Sequence, residues 1–426
     1  MIIGIIASVL IWGSAAVLLM RMINNSGIGI NNYFTQDKAL CGSFEPGLKD
    51  TAAVFGLALL FRVLVLLLSV SAIYIFTGDK GFNLQEFINR YCLWDAKHYQ
   101  NIAIGGYAHY VEKGEYPTLV FLPLYPWAIK AFSIILRDQI ISGLTVSFLA
   151  YAGGCAFIYR LMASDYNKAT AVRAIVFISV FPHALFFGTM MNESMTLLTV
   201  TATLYFIRQH KWPLVGVFGA LAAMTRLSGL VVAIPAAVEW FEEYRILEKL
   251  KEKKIGEAVS LFITKGLWIF LILAGLAIYL FCNWKVTGNP FKFLEYEKSF
   301  WHQQSVYFGK GIAVPFEQFA SSDKFTRFAI WLPEIMAIIF VVTMLVAGLR
   351  RHRTMYTAYL CAMIVMNTGI SWPLSLGRYF SCAVPAFMIL SDISERHKWT
   401  EPMITAVMAI GFGILLVAYF QQLQIL

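Results

Sequence analysis

Charged residues are scarce in this chain of 426 residues, where Asp, Glu, Lys and Arg together make up 14%. A soluble domain carries roughly 25%. Length alone would suggest two or three soluble domains, but so little charge cannot clothe their surfaces. Cysteine is scarce too: Cys41, Cys92, Cys155, Cys282, Cys361 and Cys382. None forms a C-x-x-C pair or a zinc spacing, so no structural metal is inferred. Most lie in or beside apolar runs, where Cys acts as a small hydrophobe, and no disulfide is inferred. No H-x-x-x-H pair occurs, so His98 and His109 read as packing or surface histidines before metal ligands. A Gly-rich phosphate loop of the P-loop kind is missing. So are low-complexity tracts and any clear internal repeat.

What remains is apolar. Hydrophobic residues make up 59% of the chain, and the mean hydropathy is +0.66. A membrane span needs about 20 predominantly apolar residues. Apolar runs cover roughly 2–20, 51–77, 139–160, 171–188, 194–207, 213–240, 259–282, 328–349, 355–370, 376–393 and 403–422. They predict an all-α, polytopic transmembrane helical bundle with about 10–12 spans. The first run has no basic start and no convincing cleavage site, and Arg21 follows it. It reads as a retained span with its N-terminus outside, not as a signal peptide.

The net charge of +9 has a membrane explanation and calls for no nucleic acid. Lys and Arg collect in cytoplasmic loops and at anionic headgroups. Basic clusters follow several runs: Arg160 with Lys168 and Arg173, Arg208 with Lys211, Lys249 to Lys254, Arg350 to Arg353, and Arg396 with Lys398. These loops are expected in the cytoplasm. Two longer loops, 78–138 and 284–327, mix acidic, aromatic, Gly and Pro residues and are expected outside. Basic loops then bound 213–240 at both ends, so it cannot be one simple crossing. Thr225-Arg226-Leu227-Ser228-Gly229 lies at its centre. Arg is costly facing lipid and Gly weakens a helix, which predicts two half-helices meeting near Arg226. The stretch 123–137 is short for a span and reads as an interfacial helix after the turn-forming Pro123 and Pro126.

Several short constellations could carry chemistry. Trp94-Asp95 with His98 and Tyr99 opens the first long loop, and there a carboxylate could take a proton from a sugar hydroxyl. An aromatic interfacial belt with an incidental Asp explains the same pattern equally well. Leu122-Pro123-Leu124-Tyr125-Pro126 is, taken alone, a structural corner. Asn192-Glu193-Ser194 puts an acid between apolar runs, where a short loop with an Asn192 cap competes with a cavity site. Arg226 and Arg378, the latter followed by Tyr379, each place a guanidinium in an apolar setting. Such a group forks onto phosphate oxygens; snorkelling (Arg378) and a buried ion pair (Arg226) are the plain alternatives. Thr287-Gly288-Asn289-Pro290, with Trp301-His302 beyond it, signals only an ordered loop.

The order of these pieces resembles the family of the second mannosyltransferase of glycosylphosphatidylinositol-anchor synthesis (GPI mannosyltransferase 2), in its shorter bacterial form. The matching pieces are Trp94-Asp95 with His98-Tyr99, Ile102-Ala103 and Gly106-Tyr107; Leu122 to Pro126; Phe181-Pro182 with Glu193-Ser194; Thr225-Arg226 with Ser228-Gly229; Thr287 to Pro290; and Arg378-Tyr379 with Pro385. Leu122 stands where the family often has Phe. The resemblance implies a GT-C fold with a catalytic membrane domain at 51–395, an extra span and loop at 1–50, and a C-terminal span at 396–426. It implies a glycosyltransferase that passes a hexose, mannose, with inversion from a polyprenyl- or dolichyl-phosphate carrier to a lipid- or glycan-linked acceptor. The donor is then a substrate, and no further cofactor and no metal are expected. Asp95 would be the catalytic base. Trp94, His98, Tyr99, Tyr125, Glu193, Arg226, Arg378 and Tyr379 would line the substrate site, with Arg378 before Arg226 facing the leaving phosphate. The active site would face outward from a bacterial plasma membrane, or the lumen of a eukaryotic endoplasmic reticulum. The competing reading is a transporter or flippase for a lipid or lipid-linked sugar, since broken helices and buried charges mark those too.

Overall fold

The computed structural model describes residues 2–29, 43–77 and 83–425; Cys41 lies outside them. In chain order the main helices are α1 (Ile2–Asn25), α2 (Leu48–Thr77), α3 (Ala96–Gly105), α4 (Leu124–Leu136), α5 (Gln139–Ala163), α6 (Lys168–Val180), α7 (Glu193–Arg208), α8 (Trp212–Thr225), α9 (Ala233–Glu243), α10 (Ile255–Thr287), α11 (Lys292–Phe300), α12 (Phe308–Ser321), α13 (Lys324–Gly348), α14 (Thr354–Thr368), α15 (Leu376–Ser381), α16 (Val384–Arg396) and α17 (Thr400–Phe420). Among the described residues there is no β-strand, only isolated bridges at Glu112–Glu115 and Ser305–Ile370. The chain is an integral, multi-pass, all-α membrane bundle.

Six helices, α1, α2, α5, α10, α13 and α17, are long and apolar enough to cross a membrane. A seventh crossing follows if α6 and the 3-10 turn Pro182–Gly188, bent by 85°, count as one span. These helices reach span length on their own, and the shorter apolar helices α4 and α8 come in addition. Runs 194–207 and 355–370 become α7 and α14, of 16 and 15 residues, with most of their side chains buried in the bundle. Run 376–393 splits into α15 and α16, of 6 and 13 residues.

The break near Arg226 is present. Arg226 is extended (φ −159°, ψ 146°) between α8 and a 3-10 turn at Leu227–Val232. The return is tight at Gly229, where a Cβ would stand 2.0 Å from the Ala222 carbonyl oxygen. Only glycine permits that approach. At 123–137 the expected turn is a helix start instead: Pro123 is the N-cap of α4 and Pro126 lies in its first turn. Proline fits there because first-turn N–H groups have no acceptor within the helix. Tyr125, Pro126 and Ile129 face inward, while Ile134 and Ile135 are exposed.

The basic clusters gather at one end of the bundle as ion pairs. Arg208 and Arg353 meet Asp165 at 2.9 and 3.0 Å. Arg351 and Arg396 meet Asp392 at 3.0 and 3.2 Å. Arg173 meets Glu395 and Glu401 at 2.8 and 2.6 Å. Arg21, at the end of α1, donates to the carbonyls of Leu349 and His352. Much of the basic charge thus stitches loops together. Neither terminal piece is an appendage: α1 packs on α12 and α14, and α17 on α2 and the 182–188 turn.

Candidate active site

Three interruptions of helix, at 181–192, at Arg226 and at Ser375, bring four charged side chains together far from the basic end. Glu193 is the first residue of α7, and its side chain is 0% exposed. The helix N-terminus favours an anion there, yet complete burial calls for a cation. Arg378 provides it, donating from Nε to Glu193 Oε1 at 2.9 Å with Nη2 in ion-pair contact with the same oxygen at 2.8 Å. Its remaining arm, Nη1, donates to Asp95 Oδ2 at 3.2 Å. Arg378 is therefore engaged on all sides. Asp95 is not: its side chain remains 31% exposed.

Arg226 lies on the other side of Glu193. Its guanidinium carbon sits 3.7 Å over the Tyr379 ring, a cation–π seat. Nη1 is 3.8 Å from Glu193 Oε1 and has no hydrogen-bond partner. Asn192 does not act as the expected cap; its side chain makes no bond to the α7 backbone. Instead Nδ2 donates to the Thr225 carbonyl at 2.8 Å, tying the start of α7 to the end of α8. That link sets Glu193 beside Arg226.

Arg378 is held by its backbone as well. Glu334 Oε2 accepts the Gly377 N–H at 2.9 Å at the start of α15, and Ser375 before it is left-handed (φ 72°). A Cβ on Gly377 would stand 2.1 Å from the His183 ring. Phe181-Pro182-His183 therefore packs directly against the backbone that carries Arg378. Sequence reasoning missed Glu334, because an acid in the first turn of an apolar helix looks like a solvated helix start.

The aromatic candidates divide. Trp94 precedes Asp95 in a left-handed conformation (φ 48°), sparsely populated for a non-glycine residue, and its ring meets Tyr419 at 5.2 Å. His98 stacks on Phe121 at 4.8 Å and meets Trp301 edge-on at 5.7 Å. Burial pushes its pKa below the usual value, so the ring is neutral at pH 7. Tyr99 and Tyr125 pack edge-to-face at 5.1 Å. The Tyr125 hydroxyl donates to the Gly143 carbonyl at 3.1 Å and shares a bond with Ser147 at 2.9 Å, which holds α4 to α5. Tyr125 thus has its polar atom occupied by α5, with Ser147 in turn donating to the Thr189 carbonyl.

A third carboxyl, on α11, lies within electrostatic reach of Asp95. Glu297 is half-buried, and burial followed by the negative charge of Asp95 pushes it up to about 7. The sequence offered one signal for it, an acid among Tyr296, Phe300 and Trp301. For a metal, the described residues offer one three-ligand group, His210, Glu239 and Glu243. It lies at the basic end, where Arg353 also approaches Glu239 at 3.5 Å, and is separate from the Asp95 cluster.

Residues 117–261 match the family model of dolichyl-phosphate-mannose-protein mannosyltransferases. The matched segment includes Glu193 and Arg226, but neither Asp95 nor Arg378. No curated protein is significantly similar in sequence. Among solved structures, the archaeal oligosaccharyltransferase AglB from Archaeoglobus fulgidus, in complex with an inhibitory peptide and a dolichol-phosphate, gives a TM-score of 0.45 at 12% identity. That alignment covers 87% of this chain and 55% of that one, so this chain spans about half of that protein's length. The family match supports the coarse class of this multi-pass protein, a membrane glycosyltransferase.

Proposed function

We propose that the chain transfers mannose, with inversion, from a polyprenyl- or dolichyl-phosphate carrier to a lipid- or glycan-linked acceptor. The observation that carries this reading is the half-open Asp95, tethered by a buried Arg378–Glu193 pair next to an Arg226 with an unused donor. The matched family's description and the motif order of the second GPI-anchor mannosyltransferase support mannose and the lipid phosphate carrier. Asp95 takes the proton of the acceptor hydroxyl as its oxygen attacks C1 opposite the phosphate. General-base help contributes about 10²–10⁴-fold, and holding both lipid-borne reactants in register contributes more. Sequence alone put Arg378 first for the leaving phosphate. With Arg378 occupied by two carboxylates, Arg226 is the better group to meet the charge that develops there, and Arg378 orients the base.

The test is transfer of radiolabelled mannose from polyprenyl-phosphate mannose by purified protein, with lipid extract as acceptor. Asp95→Asn keeps the size and hydrogen bonding of Asp95 and should fold, with turnover lower by about 10²-fold or more. Asp95→Glu moves the base by about 1 Å and should also be a poor catalyst. Near wild-type turnover in Asp95→Asn would remove Asp95 from the mechanism. Inactive Glu193→Gln beside it would move the base there.

A further inference from the structure

Thr287-Gly288-Asn289-Pro290 and Trp301-His302, which as sequence signal only an ordered loop, frame α11. Gly288 ends α10 in the left-handed region (φ 73°), and Asn289 Oδ1 accepts the Phe291 N–H at 2.9 Å to start the next turn. Asn283 Oδ1, on α10, accepts the Phe293 N–H at 3.2 Å. The Tyr296 hydroxyl donates to Glu115 at 2.7 Å and accepts the Tyr116 N–H at 3.3 Å. At the far end the Trp301 and Gln303 N–H groups both donate to the Glu297 carbonyl, at 3.2 and 3.0 Å. The helix is thus pinned to α10 and to the first outer loop, the loop that carries Asp95.

So placed, α11 faces α3 along two rungs. Trp301 packs edge-on to His98 at 5.7 Å and to Phe121 at 5.6 Å. Glu297 lies one turn before Trp301. Asp95, already helical (φ −59°, ψ −27°), lies three residues before His98. Each carboxyl therefore shares a helix face with one ring of the first rung. The second rung is Glu297 towards Asp95, and the charge of Asp95 does reach Glu297. Two carboxyls that face each other disfavour their charged forms. Arg378 compensates Asp95 from the Glu193 side, whereas the Glu297 side chain has no hydrogen bond or ion pair with a described residue. Hydroxyl groups placed between the two would relieve this rung, since each can donate to a carboxylate.

The residues concerned are within reach of solvent. Asp95, Glu297, Trp301 and Tyr379 all keep part of their surface exposed, and the Arg226 side chain is 16% exposed although it sits at a break inside the bundle. The charge of Glu297 also reaches Tyr379, whose ring carries Arg226 at 3.7 Å. A chain of partly exposed neighbours thus runs from Trp301 and Glu297 past Asp95 to Tyr379 and Arg226. Its members divide by chemistry. Arg226 suits a phosphate and Asp95 an acceptor hydroxyl. An indole beside a carboxyl suits a pyranose, whose C–H face packs on an aromatic ring while its hydroxyls bond the carboxyl. The rings around Trp301 lie at 54° to 75° to it, so none of them stacks on its face. The donor's mannose is the one pyranose that the proposed reaction requires, since the acceptor need not be a sugar.

We infer that Glu297 and Trp301 seat the mannose of the lipid donor, with its C–H face on the Trp301 ring and its hydroxyls on Glu297. The inference rests on the transfer reading above. It gives recognition of the sugar to α11 and leaves the carrier phosphate to Arg226.

The experiment is native mass spectrometry of the purified full-length protein, supplied in turn with polyprenyl-phosphate mannose, polyprenyl phosphate and polyprenol. Wild type should retain the mannosylated lipid over polyprenyl phosphate by about tenfold or more. Trp301→Ala and Glu297→Ala should each remove most of that preference while holding polyprenyl phosphate like wild type. Glu297→Gln keeps a neutral hydrogen-bonding group and should lose less. A merely structural loss would lower both lipids alike. Leu294→Ala, on the exposed side of α11, should keep the preference. If Trp301→Ala does not fold, Trp301→Phe is read in its place and should lose part of the preference. Wild type that holds polyprenyl phosphate no better than polyprenol would refute the transfer reading, and the sugar seat with it. Preference for the phosphate without preference for mannose would overturn the inference alone. So would full mannose preference in a folded Trp301→Ala or Glu297→Ala, as expected if the pair serves an acceptor. Abolition of the preference by EDTA would overturn it too, by placing a metal ion between the carboxyls.

Discussion

Replacing Arg378 separates architecture from chemistry at this site. The wild-type side chain makes one hydrogen bond and a second ion-pair contact to a Glu193 that is 0% exposed, and one hydrogen bond to an Asp95 that is 31% exposed. In Arg378→Met, Glu193 keeps its charge and its burial, and the nearest other cation is Arg226 Nη1 at 3.8 Å. Breaking a buried pair by removing one partner costs about 3–5 kcal/mol. Adding Glu193→Gln removes the stranded charge and should recover most of that loss; the remainder is the cost to Arg226, which loses its carboxylate neighbour at 3.8 Å. Arg378→Lys keeps the charge, but a compact ammonium cannot fork between two carboxylates. Asp95 then loses its 3.2 Å tether, and misplacement by about 1 Å costs about 10²-fold. Denaturant unfolding in detergent, followed by tryptophan fluorescence, reads stability; mannosyl transfer reads chemistry. The expected pattern is an unstable, inactive Met variant, a stable but inactive double variant, and a stable Lys variant slowed about 10²-fold. A Met variant as stable as the double would show that burial of Glu193 does not depend on Arg378. Wild-type turnover in Arg378→Lys would show that Arg378 does not orient the base.

Arg226→Met should lose about 10–100-fold in kcat/KM for the lipid donor, with Arg226→Lys recovering part of it; full activity in Arg226→Met would place Arg226 outside the phosphate site. Glu297 titrates at about 7 in the folded protein against an ordinary 4.5. A raised carboxyl pKa stabilises the fold most below the ordinary value, and that contribution disappears as pH rises through about 7. Wild type should therefore lose stability relative to Glu297→Gln between about pH 5 and pH 8, and parallel melting curves in differential scanning fluorimetry would refute this. Lys113, in the loop that carries Asp95, is exposed: Lys113→Cys in a cysteine-free background should react with an impermeant thiol reagent in intact cells, and reaction only after lysis would reverse the orientation.

The class of fold was legible because apolar runs of span length have few other uses. The break at Arg226 was legible for a similar reason, since a guanidinium in the middle of an apolar run needs a protein or polar surround. Helix lengths were not, because α7 and α14, of 16 and 15 residues, are packed mostly inside the bundle and end at breaks that spacing does not mark. Convergence of the site was invisible to spacing. Asp95 and Arg378 are 283 residues apart, and Glu193 and Arg378 are 185 apart. Each looked ambiguous alone, and only the ordered motifs linked them. Glu297 escaped because amphipathic loop helices are full of acids.

Charge balance explains how this cluster can be both buried and reactive. Asp95 and Glu193 carry two negative charges, and Arg226 and Arg378 carry two positive ones, so the resting group is neutral. In the proposed reaction the donor phosphodiester brings one negative charge. When the acceptor oxygen attacks, Asp95 gains a proton and loses its charge, while the released phosphate gains a second one. The total stays fixed, and one negative charge moves from the Asp95 side of the site to the phosphate side. Arg378 touches Asp95 and faces the charge before transfer; Arg226, with its unpartnered Nη1, is placed to face it afterwards. Glu193 lies between the two guanidiniums and holds both through one oxygen, Oε1. Fixed dipoles and charges of this kind need no reorganisation during the step, which is where such sites gain over water. On this reasoning Glu193 is an anchor whose loss should disturb both cations together, whereas loss of Asp95 should leave the pair of arginines, and donor binding, in place.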